Sequence, residues 1–284
     1  MSERVTLVEV GPRDGLQNEG ASVPAADKVR FVEALADAGL PVVEVTSFVS
    51  PRAVPQLADA DAVLPAVSRR DGVRYPVLVP NLRGMERAMA AGADAVAVFT
   101  AASEGFTRAN VNMTIAESLQ AFAPVLERAL AAGMWTRGYV STAFGCPYDG
   151  AVEPAAVARV AGELAALGCA EVSIGDTIGV ATPDQVPEVV AAVAERVPLE
   201  RIALHLHDTG GRAIENVAAG LGTGVRTFDS SAAGLGGCPF APGAPGNVAT
   251  EALVRFLDRE GFETGVDPDA VERAGLVVRR RLAA

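Results

Sequence analysis

A strand-like run followed by a helix-like run recurs eight times along the 284 residues, with no composition break between repeats. The strand candidates are Val5–Val10, Val42–Phe48, Tyr75–Pro80, Ala95–Thr100, Thr136–Phe144, Ala170–Gly175, Arg201–His207 and Val225–Ser230. Helical patterns follow them. Val157, Val160, Ala161, Leu164 and Leu167 carry the i, i+3, i+4, i+7 spacing that gathers apolar side chains on one helix face. Gly39, Gly92, Gly133 and Gly168 fall where helices should end in a left-handed residue, and Pro154 and Pro183 where helices should begin. Pro124, inside an otherwise helical run, predicts a kink or break. Such alternation predicts a parallel sheet, and eight units in this length predict a closed (β/α)8 TIM barrel, a single α/β domain over residues 1–284. An open doubly wound sheet would need a glycine fingerprint after its first strand, where this chain has Gly11-Pro12-Arg13-Asp14-Gly15 instead.

Barrels of this kind react at the C-terminal ends of their strands. Polar residues gather there: Arg13, Asp14 and Gln17 after the first strand, Glu44 and Thr46 on the second, and Asn81 after the third. Ser173, Asp176 and Thr177 close the sixth, and His205 and His207 the seventh. An Asp or Thr after a strand is also a common helix N-cap, so Asp176 alone has two readings. Convergence of these strand ends on one mouth favours chemistry.

The chain has two histidines, and they stand two residues apart on the strand-like Arg201–His207. At period two both imidazoles face the same side, a candidate for two adjacent positions on one metal ion. The bland alternative is a pair of core histidines bonded to neighbouring carbonyls. Beyond the last strand, eight of the fifteen residues at 233–247 are Gly or Pro, the composition of an active-site loop. Cys238 in this loop could swing over the mouth and exchange a proton, or be a small buried anchor. Asn247 ends the loop, and its amide oxygen could complete a site with Asp14, His205 and His207. Two nitrogens with oxygen ligands suit a six-coordinate Mg2+ or Mn2+ better than a structural zinc.

Composition removes other classes. A net charge of −11 with no basic stripe argues against nucleic acid and anionic membranes as partners. No apolar run has membrane-span length, no secretion leader or targeting tripeptide is seen, and three cysteines suggest reduced thiols in a cytoplasmic setting. Lys28 is the only lysine. It falls early in a helix predicted over Pro24–Ala38, among the solvent-type neighbours Asp27 and Arg30, so Schiff-base lyase chemistry is excluded.

Seven stretches together resemble the 3-hydroxy-3-methylglutaryl-CoA lyase family: Val8–Glu19, Thr46–Pro51, Pro76–Asn81, Gly145–Tyr148, Gly175–Gly179, His205–Thr209 and Gly234–Phe240. The most specific are the Gly-Pro-Arg-Asp-Gly-Leu-Gln opening and the loop around Cys238; His-x-His-Asp-Thr is shared more widely among metal-dependent barrel lyases and condensing synthases. The resemblance implies a barrel that splits the acyl-CoA thioester into acetyl-CoA and acetoacetate, as in leucine breakdown, and that forms a homodimer. Asp14, His205, His207 and Asn247 would then bind the cation, and Arg13 would stabilise the thioester enolate. Cys238 would act at the acetyl-CoA end, while Gln17, Glu44, Asp176 and Thr177 would line the acyl pocket. The group that removes the hydroxyl proton stays open between Asp14, His205 and Asp176. Gly20, Gly210 and Phe240 stand where relatives commonly carry Lys, Tyr and Tyr, and extra room at the glycines would admit bulkier 3-alkyl chains. A related condensing synthase and a catalytically silent binding barrel are the rival readings.

Overall fold

The computed structural model describes residues 3–237 and 246–283. Its strands are β1 (Thr6–Glu9), β2 (Val42–Val43), β3 (Thr46–Ser47), β4 (Val77–Leu78), β5 (Ala95–Ala101), β6 (Trp135–Ser141), β7 (Glu171–Asp176), β8 (Ile202–Leu206) and β9 (Thr227–Ser230). All pair in parallel in the order β2-β1-β9-β8-β7-β6-β5-β4-β3. The two ends of this order are one stretch of chain. Across residues 42–47 the Glu44 amide bonds Glu9 on one side, while Val43 and Val45 bond Arg74 and Pro76 on the other. The second predicted strand is therefore split in two, and the sheet closes on itself as a TIM barrel.

Ten α-helices lie among the described residues, and the predicted connections hold with small shifts. In α6 (Pro154–Ala166), Val157, Val160, Ala161 and Leu164 are buried against the sheet. The four helix-ending glycines all take positive φ, between 70° and 105°, a region L side chains avoid. Pro183 stands in the turn before α7 (Gln185–Ala194) instead of at its first residue. Pro124 corrects part of an expectation: α5 (Ile115–Ala131) continues through it without a break. The cost of the interior proline is offset by packing, since Phe122, Val125, Leu126 and Ala129 are buried around it. Lys28 corrects a further expectation, since both it and Asp27 are buried while Arg30 is exposed. Lys28 is 2 % exposed on α1 (Ala25–Asp37), with its ammonium bonded to Asp59 and the Gln56 carbonyl in the segment that follows β3.

Alternation along each strand separates two interiors. Leu204, Leu206 and Phe228 point outward into the apolar layer beneath the helices. Their neighbours His205 and Asp229 point into the barrel, as do Arg137 and Tyr139 on β6, where they meet one another. The helix layer supplies the burial that holds the fold, which leaves the barrel interior free to carry charge.

Candidate active site

The metal-ligand candidates arrive from three places. After β1 the amides of Arg13, Asp14 and Gly15 converge on the Val10 carbonyl in a single wide turn, which aims Arg13 and Asp14 over the barrel. His205 lies on β8 and His207 just past its end, on the same face by period two. Asn247 pairs with His207 through the isolated bridge of the loop's returning limb. That limb is drawn in by Asp208 N–H to Gly246 O, and Gly246 has no room for a Cβ, which would overlap the Gly236 carbonyl.

Asp14, His205 and His207 each present one ligand atom within 4.8 Å of the others. The two Nε2 atoms stand 3.1 Å apart. Adjacent ligands of an octahedral ion with bonds of about 2.1 Å stand about 3 Å apart, so the spacing fits one shared divalent cation. Burial would raise the Asp14 pKa, but Arg13 and the two imidazoles outweigh it and lower it to about 2, leaving an anion. Burial and the adjacent His205 push His207 down to about 4, leaving a neutral ring with a free lone pair. An ionised carboxylate with a neutral imidazole is the donor set a divalent cation needs. Asn247 meets Asp14 through its amide nitrogen, Nδ2 to Oδ2 at 2.8 Å, and not through the oxygen expected as a ligand.

Arg13 is 6 % exposed and fixed on three sides. Nε donates to Glu44 Oε2 (2.8 Å), Nη1 to Asp14 Oδ1 (2.7 Å), and the guanidinium lies 5.2 Å from the Tyr139 ring centre. Its charge is secure: burial favours the neutral form, but Glu44 and Asp14 raise its pKa above the ordinary arginine value. Glu44 departs from the expectation of a pocket-lining group. It is 0 % exposed and lies beneath Arg13 and the Tyr139 hydroxyl, and it is not among the cavity's lining residues. Asp176 departs as well. Its two oxygens accept from the Val180 and Ala181 amides, so it shapes the loop after β7; burial raises its pKa to about 6.

A cavity of about 570 Å³ opens over these groups. Arg13, Asp14, Gln17, Thr177, His205 and His207 give it a polar floor and side, and Leu78, Phe99, Phe106 and Val140 an apolar wall. Gln17 Oε1 is buried there with no protein partner, an acceptor available to a ligand. Gly20 and Gly210 are exposed and do not line the cavity, which removes the extra room expected of them. Cys238 and Phe240 lie outside the described residues.

Arg137, Tyr139 and Asp229, with Ser173 as a partner, form a buried network beneath the site that strand-end position does not reveal. Arg137 and Asp229 form a fully buried ion pair at 2.6 Å, and Asp229 reaches His205 Nδ1 at 3.1 Å. One signal was available: an Arg and an Asp at the inward phase of apolar strands have no solvent to face.

A family model described as HMGL-like matches residues 4–278. The mitochondrial hydroxymethylglutaryl-CoA lyase of Mus musculus is 53 % identical over 275 residues, covering 97 % of this chain and 85 % of that protein. A 3-hydroxy-3-isohexenylglutaryl-CoA/hydroxy-methylglutaryl-CoA lyase of Pseudomonas aeruginosa is 52 % identical, covering 97 % and 92 %. The crystal structure of the HMG-CoA lyase from Brucella melitensis superposes with a TM-score of 0.98 at 53 % identity, covering both chains completely.

Proposed function

The chain belongs to the HMGL-like family, and from that premise we propose that it is a divalent-metal-dependent lyase cleaving 3-hydroxy-3-methylglutaryl-CoA to acetyl-CoA and acetoacetate. The observation that carries this is the meeting of Asp14, His205 and His207 beside the buried guanidinium of Arg13, under a cavity with one polar and one apolar side. Asp14, His205, His207 and Asn247 would hold Mg2+ or Mn2+, which supplies Lewis acidity toward the tertiary hydroxyl.

Arg13 faces the thioester oxygen. Its charge is oriented by Glu44 and Tyr139 before the reaction begins, so the enolate meets a fixed cation as its charge develops. Gln17 and Thr177 bind the acyl chain from the floor. Asp176, engaged by two amides, drops out as the group that takes the hydroxyl proton; His205, with Nδ1 on Asp229 and Nε2 toward the cation, has no lone pair to spare, which leaves Asp14. Cys238 delivers the proton that converts the enolate to acetyl-CoA. With an unperturbed thiol pKa of about 8.5, it is mostly protonated at neutral pH.

Two further assignments belong to this reading. The free thiols at Cys146 and Cys169 fit a reducing compartment such as the cytoplasm, and no helix of the described residues is long and apolar enough to cross a membrane. The assembly we propose is a homodimer, which sedimentation would test.

A second acyl specificity is favoured by the Pseudomonas aeruginosa relative, whose name carries a longer 3-alkyl chain, and by the apolar cavity wall. The test of the main reading is product analysis. With Mg2+ and 3-hydroxy-3-methylglutaryl-CoA, the protein should release acetyl-CoA and acetoacetate in equal amounts, and His207→Ala should release neither. Failure to cleave, with condensation of acetyl-CoA onto a 2-oxo acid instead, would assign the condensing rival.

A further inference from the structure

Asp229 on β9 is surrounded by donors. Arg137 Nη2 gives a hydrogen bond to Oδ1 at 2.6 Å; Arg137 Nη1 and the Ser173 hydroxyl give theirs to Oδ2 at 3.1 and 2.9 Å. A guanidinium can only donate, so the carboxylate facing it is the ionised form, and an ionised carboxylate offers lone pairs alone. Its remaining neighbour is His205 Nδ1, at 3.1 Å from Oδ2. That nitrogen must therefore carry a proton. In a neutral ring the proton on Nδ1 leaves Nε2 as a bare lone pair, and Nε2 is the atom aimed at His207.

We propose that Asp229, kept anionic by Arg137, is the positioning residue that fixes the tautomer and the aim of His205, and so prepares Nε2 to bind the cation. The inference rests on the metal-site reading only in its last step. Asparagine at this position is nearly isosteric but cannot do the same work. Its NH2 group stands either at the Oδ1 position, against the 2.6 Å Arg137 Nη2 donor, or at the Oδ2 position, facing His205 Nδ1 and against only the longer 3.1 Å Nη1 donor. The first choice is a buried donor–donor clash, so the second prevails, and the ring must then accept at Nδ1 and carry its proton on Nε2. Arg137 is already committed to Glu171 through Nε and to the Tyr139 hydroxyl through Nη1, so it does not swing away to relieve the conflict.

The chain's two histidines make the test direct. Nitrogen-15 NMR of the metal-stripped protein at alkaline pH reads which nitrogen of each ring is protonated. In the unaltered protein His205 should carry its proton on Nδ1; a proton on Nε2 overturns the proposal. In Asp229→Asn the proton should move to Nε2, and Mn2+ affinity measured by electron paramagnetic resonance should fall about 10- to 100-fold. An unchanged tautomer, or a changed tautomer with unchanged Mn2+ affinity, also overturns it. If Asp229→Asn fails to fold, the unaltered protein's spectrum decides. If the unaltered protein binds no Mn2+, the metal reading above fails, and the tautomer still decides the role of Asp229.

Discussion

Asn247 donates from Nδ2 to Asp14 Oδ2 at 2.8 Å, across 233 positions of chain. The bond joins the turn after the first strand to the returning limb of the Gly/Pro-rich loop. A cation at Asp14 would replace that N–H as the partner of the carboxylate, so turning the amide over exchanges a donor for an oxygen ligand. Asn247→Ala should fold normally and bind Mn2+ about tenfold or more weakly, by calorimetric titration of metal-stripped protein. Unchanged affinity would remove Asn247 from the ligand set.

Arg13 makes its largest contribution when negative charge has formed on the thioester oxygen. Arg13→Met should therefore lower kcat by about 10²- to 10³-fold and move KM little, read from steady-state kinetics at saturating metal. A change confined to KM would make Arg13 a substrate-binding group only.

Cys238→Ser keeps a small polar side chain but loses the readily transferred thiol proton. Cleavage should slow while Mn2+ affinity stays the same. Full activity in this variant would remove the cysteine's chemical role.

Glu9 supplies a pH dependence away from the metal ligands. It is fully buried, with Oε1 accepting from the Gly11 and Ala232 amides and Oε2 from the Thr250 hydroxyl. Burial outweighs these bonds and raises its pKa to about 7 from 4.5. An acid whose folded pKa is raised binds more protons folded than unfolded in that window. Its contribution is full below pH 4.5 and is lost as pH rises through about 7, amounting to about 3 kcal/mol. Urea denaturation across this range should show the unaltered protein losing stability relative to Glu9→Gln as pH rises. Parallel curves for the two proteins would contradict this.

Acyl-chain breadth is decided by kinetics on 3-hydroxy-3-alkylglutaryl-CoA analogues of increasing length. The apolar wall of Leu78, Phe99, Phe106 and Val140 should accept longer chains with kcat/KM within about tenfold of the methyl substrate, since each added methylene changes discrimination modestly. Strict rejection of long chains would confine the enzyme to the methyl compound.

The eight-fold alternation and the His205–His207 spacing were legible because period two and period 3.6 are local. So were Arg13 and Asp14, charged where a phosphate fingerprint would be glycine. The split of the second strand was not legible, because its pairing with β1 on one side and β4 on the other is a property of closure. Glu44 and Asp176 were recognised as polar strand-end residues, but strand position does not say which way a carboxylate turns. One turns under Arg13 and the other into its own loop. Arg137 and Asp229 were missed because their meaning depends on each other across 92 residues. Lys28 read as solvent-facing because its partner Asp59 belongs to another segment.

Anomalous diffraction from Mn2+-loaded crystals tests the central claim most directly. One manganese peak should lie within coordination distance of Asp14, His205 Nε2, His207 Nε2 and the Asn247 amide oxygen. A peak elsewhere, or none in the presence of saturating Mn2+, would contradict the account.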